Sequence, residues 1–200
     1  MKYKAVLFDL DGTLLDYSVA QKKATGNRAE YFKLVNSPEV QSYESRGVPL
    51  PASPEMKTAF IKAGVQKNPE EFLNNYFNKL SQHGILITGA LQILEKLHKQ
   101  VKLAVVSNGH SDVQLPRMKK AGIVRFFPHC FFSYDTGIAK PDPEILHMAM
   151  KTLEAKPEET LFIGDSTTSD QPAARAAGID FFLFKGSFNN PELQTCLRHV

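Results

Sequence analysis

Residues 5–15 run Ala5-Val6-Leu7-Phe8-Asp9-Leu10-Asp11-Gly12-Thr13-Leu14-Leu15, four apolar residues that stop at two acids and a glycine. An unbroken apolar run of this length suits a strand covered on both faces, the environment of a parallel sheet between helical layers. The same signature recurs downstream at Leu103–Val106 before Ser107, Phe131–Phe132 before Ser133, Leu161–Ile163 before Gly164 and Phe181–Phe184 before Lys185. Helix-period segments lie between these runs. In Gly89–Gln100, Ile93 and Leu97 fall one turn apart, as do Leu94 and His98; in Glu144–Leu153, Ile145, Leu146, Ala149, Met150 and Leu153 make one apolar stripe. Strands alternating with helices of this length predict an α/β fold with a Rossmann-like, mostly parallel sheet.

Residues 16–85 break the rhythm. They contain no strand-like run, and Tyr31, Phe32, Val35, Phe60, Ile61, Phe72, Tyr76, Phe77 and Leu80 are spaced for helices. Gly47–Pro54, with three prolines in six residues, reads as a loop. A segment of about 70 residues is too long for an ordinary crossover, so the expected layout is a core of residues 1–15 and 86–200 with a helical cap at 16–85. Beyond Phe188 the chain reads as a short helix or a loose tail.

Of the 200 residues, 42% are hydrophobic and 22% charged, an ordinary globular composition. Lys plus Arg number 24 against 21 Asp plus Glu, a formal charge of +3. That is too mild and too scattered for a nucleic acid polymer as partner. No apolar run approaches the roughly 20 residues that span a bilayer, and Asp9 and Asp11 interrupt the only leader-like start. A protein that stays in the cytoplasm, away from membranes, is expected. Cys130 and Cys196 form neither a CxxC pair nor part of a Cys/His cluster, so neither a zinc site nor a disulfide framework is predicted.

The chemistry gathers where the apolar runs end. Asp9 and Asp11 stand at a strand's carboxyl end, where open α/β sheets bind ligands. A carboxylate there can be a nucleophile or a hard-cation ligand, or the pair can simply make an Asx turn at Gly12. Ser107-Asn108-Gly109 offers a hydroxyl and backbone donors to phosphate oxygens, though such a turn also occurs without a ligand. Lys140 precedes Pro141-Asp142-Pro143, in which Asp142 suits a helix cap. Gly164-Asp165 with Asp170 five residues on fits a metal loop running into a helix at Gln171–Ala177.

Taken in order, Asp9-Leu10-Asp11-Gly12-Thr13, Ser107, Lys140 and Gly164-Asp165 with Asp170 resemble the four motifs of the haloacid dehalogenase (HAD) superfamily of phosphohydrolases. The resemblance spans residues 4–15 and 86–185, and the insertion after the first motif is similar to that superfamily's C1-type helical cap. It implies that the first and fourth strands are neighbours, so that Asp9 and Asp165 reach one ion. Every candidate ligand is a hard oxygen, which makes Mg²⁺ the expected cofactor. By the same resemblance, Asp9 is the nucleophile and a metal ligand. Asp11 is the general acid and base, its backbone carbonyl also on the metal. Ser107 and the backbone around Asn108 hold a phosphoryl oxygen, and Lys140 neutralises charge on the nucleophile and the phosphoryl group. Asp165 ligates the metal directly, and Asp170 acts behind it, through water or by orienting Lys140. Dehalogenases of the superfamily lack the second acid, so Asp11 moves the expectation from carbon–halogen cleavage to phosphoryl transfer.

Val106–Gly109 with Gln114 and Arg117, Gly137–Pro141, and Gly164–Asp170 with Ala176-Ala177-Gly178 further resemble the YjjG-type nucleotidase-like branch. That implies a small phosphorylated metabolite as substrate, a nucleoside monophosphate first. Phosphoglycolate-type phosphatase and β-phosphoglucomutase-like activities are the alternatives, with a non-catalytic regulatory module behind them. Lys22, Lys23, Arg28, Arg46, Tyr17, Tyr31 and Tyr43 in the cap, and His110 beside Gly109, are candidate substrate contacts. For each the stronger reading is a solvated charge, a packed ring or, for His110, a surface-loop histidine.

Overall fold

β1 (Ala5–Phe8) is the middle strand of a five-stranded, all-parallel sheet ordered β3-β2-β1-β4-β5. The other strands are β2 (Lys102–Ser107), β3 (His129–Phe132), β4 (Thr160–Gly164) and β5 (Asp180–Leu183). The computed structural model describes residues 2–38, 40, 54–62, 64–65 and 68–200. The central place of β1 explains its lack of polar residues. Val6 and Phe8 point into a layer with Leu94, Leu97, Met118 and Leu193, while Ala5 and Leu7 point into the opposite layer with Ile145, Leu146, Ala149 and Ala173. The edge strands are only partly buried, and there the apolar runs mislead by a residue or two. β3 begins at His129, two residues before Phe131, and β5 ends at Leu183, although Phe184 N–H still donates to Gly164 O at 2.7 Å. Polar residues are tolerated on an edge that meets water.

The helices Ala90–Leu97 and Glu144–Leu153 cover the sheet within the stretches their periodicity indicates, and Asp170–Ala177 begins one residue before the expected Gln171. The second begins at Glu144, so Pro143 and not Asp142 stands at its cap position; Asp142, one residue earlier, still accepts from Glu144 N–H through Oδ1 at 2.9 Å. The C-terminal stretch is a packed helix, Pro191–Cys196. Asn190 caps it by accepting from Glu192 N–H at 2.8 Å, and Leu193, Leu197 and Val200 are buried beside Phe188.

Between β1 and the helix Ala90–Leu97 the described residues include the helices Tyr17–Ala24, Ala29–Val35, Pro54–Lys62 and Pro69–Leu80. Asp16 and Asn68 cap the first and last through Val19 N–H (2.9 Å) and Glu70 N–H (3.0 Å). These helices share their own apolar cluster, including Leu34, Val35, Phe60, Phe72, Leu73 and Tyr76. Val113 of the helix Ser111–Lys120 belongs to the same cluster, so the insertion rests on that helix. Its two linkers run side by side, with Asp16 N–H donating to Ile85 O (2.8 Å) and Ile87 N–H to Leu14 O (3.0 Å). Tyr43, Arg46 and the Gly47–Ser53 part of the expected loop lie outside the described residues; Pro54 begins a helix. Among the described residues no helix is long and apolar enough to cross a membrane.

Candidate active site

Parallel register delivers the candidate residues to one edge. Phe8 pairs with Val105 and with Ile163, so Asp9, one residue on, and Ser107 and Asp165, two residues on, leave the sheet together at its carboxyl end. Lys140 arrives from the loop after β3, and Asp170 opens the helix that follows β4. Asn108 fixes the Lys140 loop from both sides: its Nδ2 donates to Lys140 O (2.8 Å) and its Oδ1 accepts from Lys140 N–H (2.9 Å). The Asn108 side chain thus holds the lysine, which leaves only its backbone to a phosphoryl oxygen.

The Lys140 ammonium donates to Asp9 Oδ1 (2.6 Å) and Val106 O (2.9 Å) and lies 2.7 Å from Asp170 Oδ1. The other oxygen of Asp170 accepts from Ser166 N–H at 2.9 Å. The side chains of Lys140 and Asp170 are only 2% and 1% exposed, so these are desolvated charges held by geometry. Burial lowers the lysine's proton affinity, but the charges of Asp9 and Asp170 raise it further, above the ordinary lysine value. Asp9 is pushed up to about 8: burial raises it, Lys140 opposes, and Asp170 and Asp165 raise it again. Asp165 is raised too, by burial and then by Asp170. Three carboxylates facing one ammonium leave negative charge uncompensated.

That imbalance suits a cation. Oxygens of Asp9, Asp165 and Asp170 lie within 4.8 Å of one another, and Asp165 is solvent-exposed. The loop of the first motif closes over them at Gly12, whose φ is +82° and where a Cβ would stand 2.2 Å from Asp165 Oδ2. Only glycine satisfies both conditions. An all-oxygen set of this kind fits a small hard cation such as Mg²⁺.

A second cluster surrounds Asp11. Arg117 Nη1 lies 2.6 Å from Asp11 Oδ1, and Gln114 Nε2 donates to Asp11 Oδ2 at 2.7 Å. Arg117 Nη1 also donates to Gln114 Oε1 at 2.7 Å. Motif reading gave these two residues no chemical role. Their signal was available, because Gln and Arg three apart on the helix after Ser107-Asn108-Gly109 share one face. Of the cap candidates, Tyr17 lies under the Arg117 guanidinium (5.4 Å), and Arg28 stacks on Tyr31 (3.9 Å), which meets Phe72 edge-on. Lys22 and Lys23 are exposed. His110 stacks on Tyr134 (3.6 Å) and meets Phe77 of the insertion (5.6 Å); burial lowers its pKa against the pull of Asp135 and Asp112.

The acids and the buried lysine thus stand together at the carboxyl edge of the sheet. The family model for haloacid dehalogenase-like hydrolases matches residues 6–184, and the chain belongs to that family. Among its relatives is the HAD-hydrolase YfnB of Bacillus subtilis, 28% identical over 90% of this chain and 83% of that protein. The pyrimidine 5'-nucleotidase PynA of Streptococcus pneumoniae has the same identity and the same two coverages. The crystal structure of YfnB, bound to magnesium, superposes with a TM-score of 0.78 at 23% identity over the whole of both chains.

Proposed function

We propose that this chain is a Mg²⁺-dependent phosphatase that hydrolyses small phosphomonoesters through an aspartyl-phosphate on Asp9, with nucleoside monophosphates as the leading substrate class. It would act on cytoplasmic metabolites, with residues 1–15 and 86–200 as catalytic core and 16–85 as cap. The observation that carries this reading is Lys140 clasped between Asp9 and Asp170 beside Asp165, a charge set suited to an incoming phosphoryl group. The nucleotidase PynA among the relatives supports the substrate class.

In this scheme Asp9 and Asp165, with the Asp11 backbone carbonyl, hold the metal. Mg²⁺, when bound, supplies positive charge that offsets the carboxylate and phosphoryl oxygens. Asp9 attacks phosphorus, the bond to the ester oxygen breaks with its electron pair on that oxygen, and Asp11 gives it a proton. Water then attacks the aspartyl-phosphate, Asp11 takes the water's proton, and the bond from Asp9 to phosphorus breaks to return the carboxylate and inorganic phosphate. Ser107 and the backbone at Asn108 orient the phosphoryl oxygens. Lys140 steadies Asp9 and the transferring group, and Asp170 keeps Lys140 in place.

Phosphate release from nucleoside monophosphates, sugar phosphates and phosphoglycolate, with Mg²⁺ or chelator, tests the proposal for wild type and Asp9→Asn. The expected result is metal-dependent release from nucleoside monophosphates that falls by about four orders of magnitude or more in the variant. Release confined to phosphoglycolate would transfer the substrate assignment to that ester, in line with a phosphoglycolate phosphatase of Pseudomonas fluorescens that is 29% identical over 94% of this chain. Isomerisation of a sugar phosphate without net release would identify a mutase instead.

A further inference from the structure

Arg117 is fully buried, and every contact of its guanidinium leads to a part of the molecule that matters for Asp11 or for the cap. Nη1 faces Asp11 Oδ1 at 2.6 Å and donates to Gln114 Oε1 at 2.7 Å, while Gln114 Nε2 returns to Asp11 Oδ2 at 2.7 Å. The three side chains close a ring in which Asp11 Oδ2 has the Gln114 donor and Oδ1, buried, faces the guanidinium as an ion pair without a hydrogen bond of its own. Arg117 Nε donates to His83 O at 3.3 Å, and the Tyr17 ring lies 5.4 Å from the guanidinium carbon. His83 sits on the linker that returns from the inserted helices, and Tyr17 begins the first of them. That return linker lies directly on this turn of helix, since a Cβ at Gly84 would be 2.0 Å from Arg117 O.

We propose that Arg117, with Gln114, is a positioning residue that holds the Asp11 carboxylate for its attack on the water proton, and that couples this placement to the two linkers of the cap. The assignment rests on the phosphatase reading above. A carboxylate held by one N–H donor on Oδ2 and by the guanidinium charge at Oδ1 is presented as an acceptor, with a lone pair still open to a proton. It is therefore set for the second half of the reaction, when water displaces Asp9 from phosphorus. The forked guanidinium is the group that can meet Asp11, Gln114 and His83 O at once, which a lysine cannot. Movement of the cap about its linkers shifts the neighbours of Arg117 and, through it, Asp11.

The test uses p-nitrophenyl phosphate with Mg²⁺, because this leaving group departs without a proton and the first half-reaction needs no acid. Arg117→Met and Gln114→Met should lower kcat and KM together by about tenfold, with kcat/KM held within about twofold. Aspartyl-phosphate should accumulate, visible as a burst of nitrophenol and as a phosphoryl adduct in the intact mass. Arg117→Lys should show the same pattern at reduced size. A fall in kcat/KM matching the fall in kcat, with no adduct, would mean a merely structural ion pair and overturn the assignment, as would unchanged kinetics. If Arg117→Met does not fold, Gln114→Met carries the same test, since it removes the donor to Oδ2 and keeps the guanidinium facing Oδ1. Wild type that releases no phosphate from any ester would overturn the phosphatase reading and this assignment with it. An active wild type with the wrong variant pattern overturns the assignment alone.

Discussion

The carboxyl edge of the sheet and the inserted helices hold their side chains in different ways. At the edge, Asp9, Ser107 and Asp165 each stand one or two residues beyond a ladder pair, and Asn108 fixes Lys140 through two hydrogen bonds to its backbone. In the insertion, rings hold rings: Phe72 meets Tyr31 and Phe60 edge-on at 5.1 and 5.2 Å. The first arrangement is set by backbone register and desolvated charge, so a single substitution there removes a function. The second is a packed cluster, which yields by degrees.

Among substitutions that test this contrast, Lys140→Met should produce the largest combined effect on activity and stability. It removes the ammonium and leaves Asp9 and Asp170 buried against each other. A loss of about 3–5 kcal/mol in urea unfolding is expected, with kcat down by about two to three orders of magnitude. Unchanged stability would break the comparison, because the edge would then not depend on its charges.

Gly12→Ala comes next. Its Cβ would meet Asp165 Oδ2 at 2.2 Å from a backbone with φ of +82°, so both the loop and the carboxylate must shift. Strain of about 1–3 kcal/mol follows, and Mg²⁺ affinity in a calorimetric titration should fall by about tenfold. An equally tight Mg²⁺ isotherm would show that Asp165 is free to move.

Proton linkage sharpens the same contrast. Asp9 rises from 3.8 to about 8 through burial and neighbouring carboxylates, so below about 8 a proton competes with the cation. Mg²⁺ affinity should climb by up to about tenfold per pH unit from pH 6 to 8 and then level off. Between the two pKa values the folded state holds a proton that the unfolded chain has released. The metal-free protein is therefore favoured below pH about 4 by this group and loses that stability as pH rises toward about 8. Thermal midpoints measured with chelator should fall over this range, and added Mg²⁺ should flatten the fall. Substitutions within the cap cluster should leave this profile where it is.

What could be read in advance follows the same division. All five strands were legible, because a strand covered on both faces admits only apolar residues and stops where the chemistry begins. The edge strands slipped by one or two residues because one side of each meets water. Arg117 was harder to see. An arginine in a sequence reads as a surface charge, and its complete burial depends on Asp11 and His83 arriving from two other segments. The cap charges were ambiguous for a related reason. Arg28 turns to Tyr31 and Glu30 instead of an open cleft, a choice that helical periodicity does not contain.

The seam between the two regions should show the smallest effect. Phe77, on the helix Pro69–Leu80, meets His110, which stacks on Tyr134 beside the Ser107–Gly109 turn. Burial keeps His110 disposed to the neutral form, so the contact is one of rings and not of charge. Phe77→Ala removes the cap's share of this stack and leaves Asp9, Lys140 and Asp165 untouched. Its cost belongs to binding that is the same in ground and transition states, which raises KM without lowering kcat. The expected result is a KM about threefold to tenfold higher for the preferred ester, with kcat within about twofold. A matching drop in kcat would mean that the seam aligns the reacting groups, and the division between a charge-fixed edge and a packing-fixed cap would have to be moved to include His110.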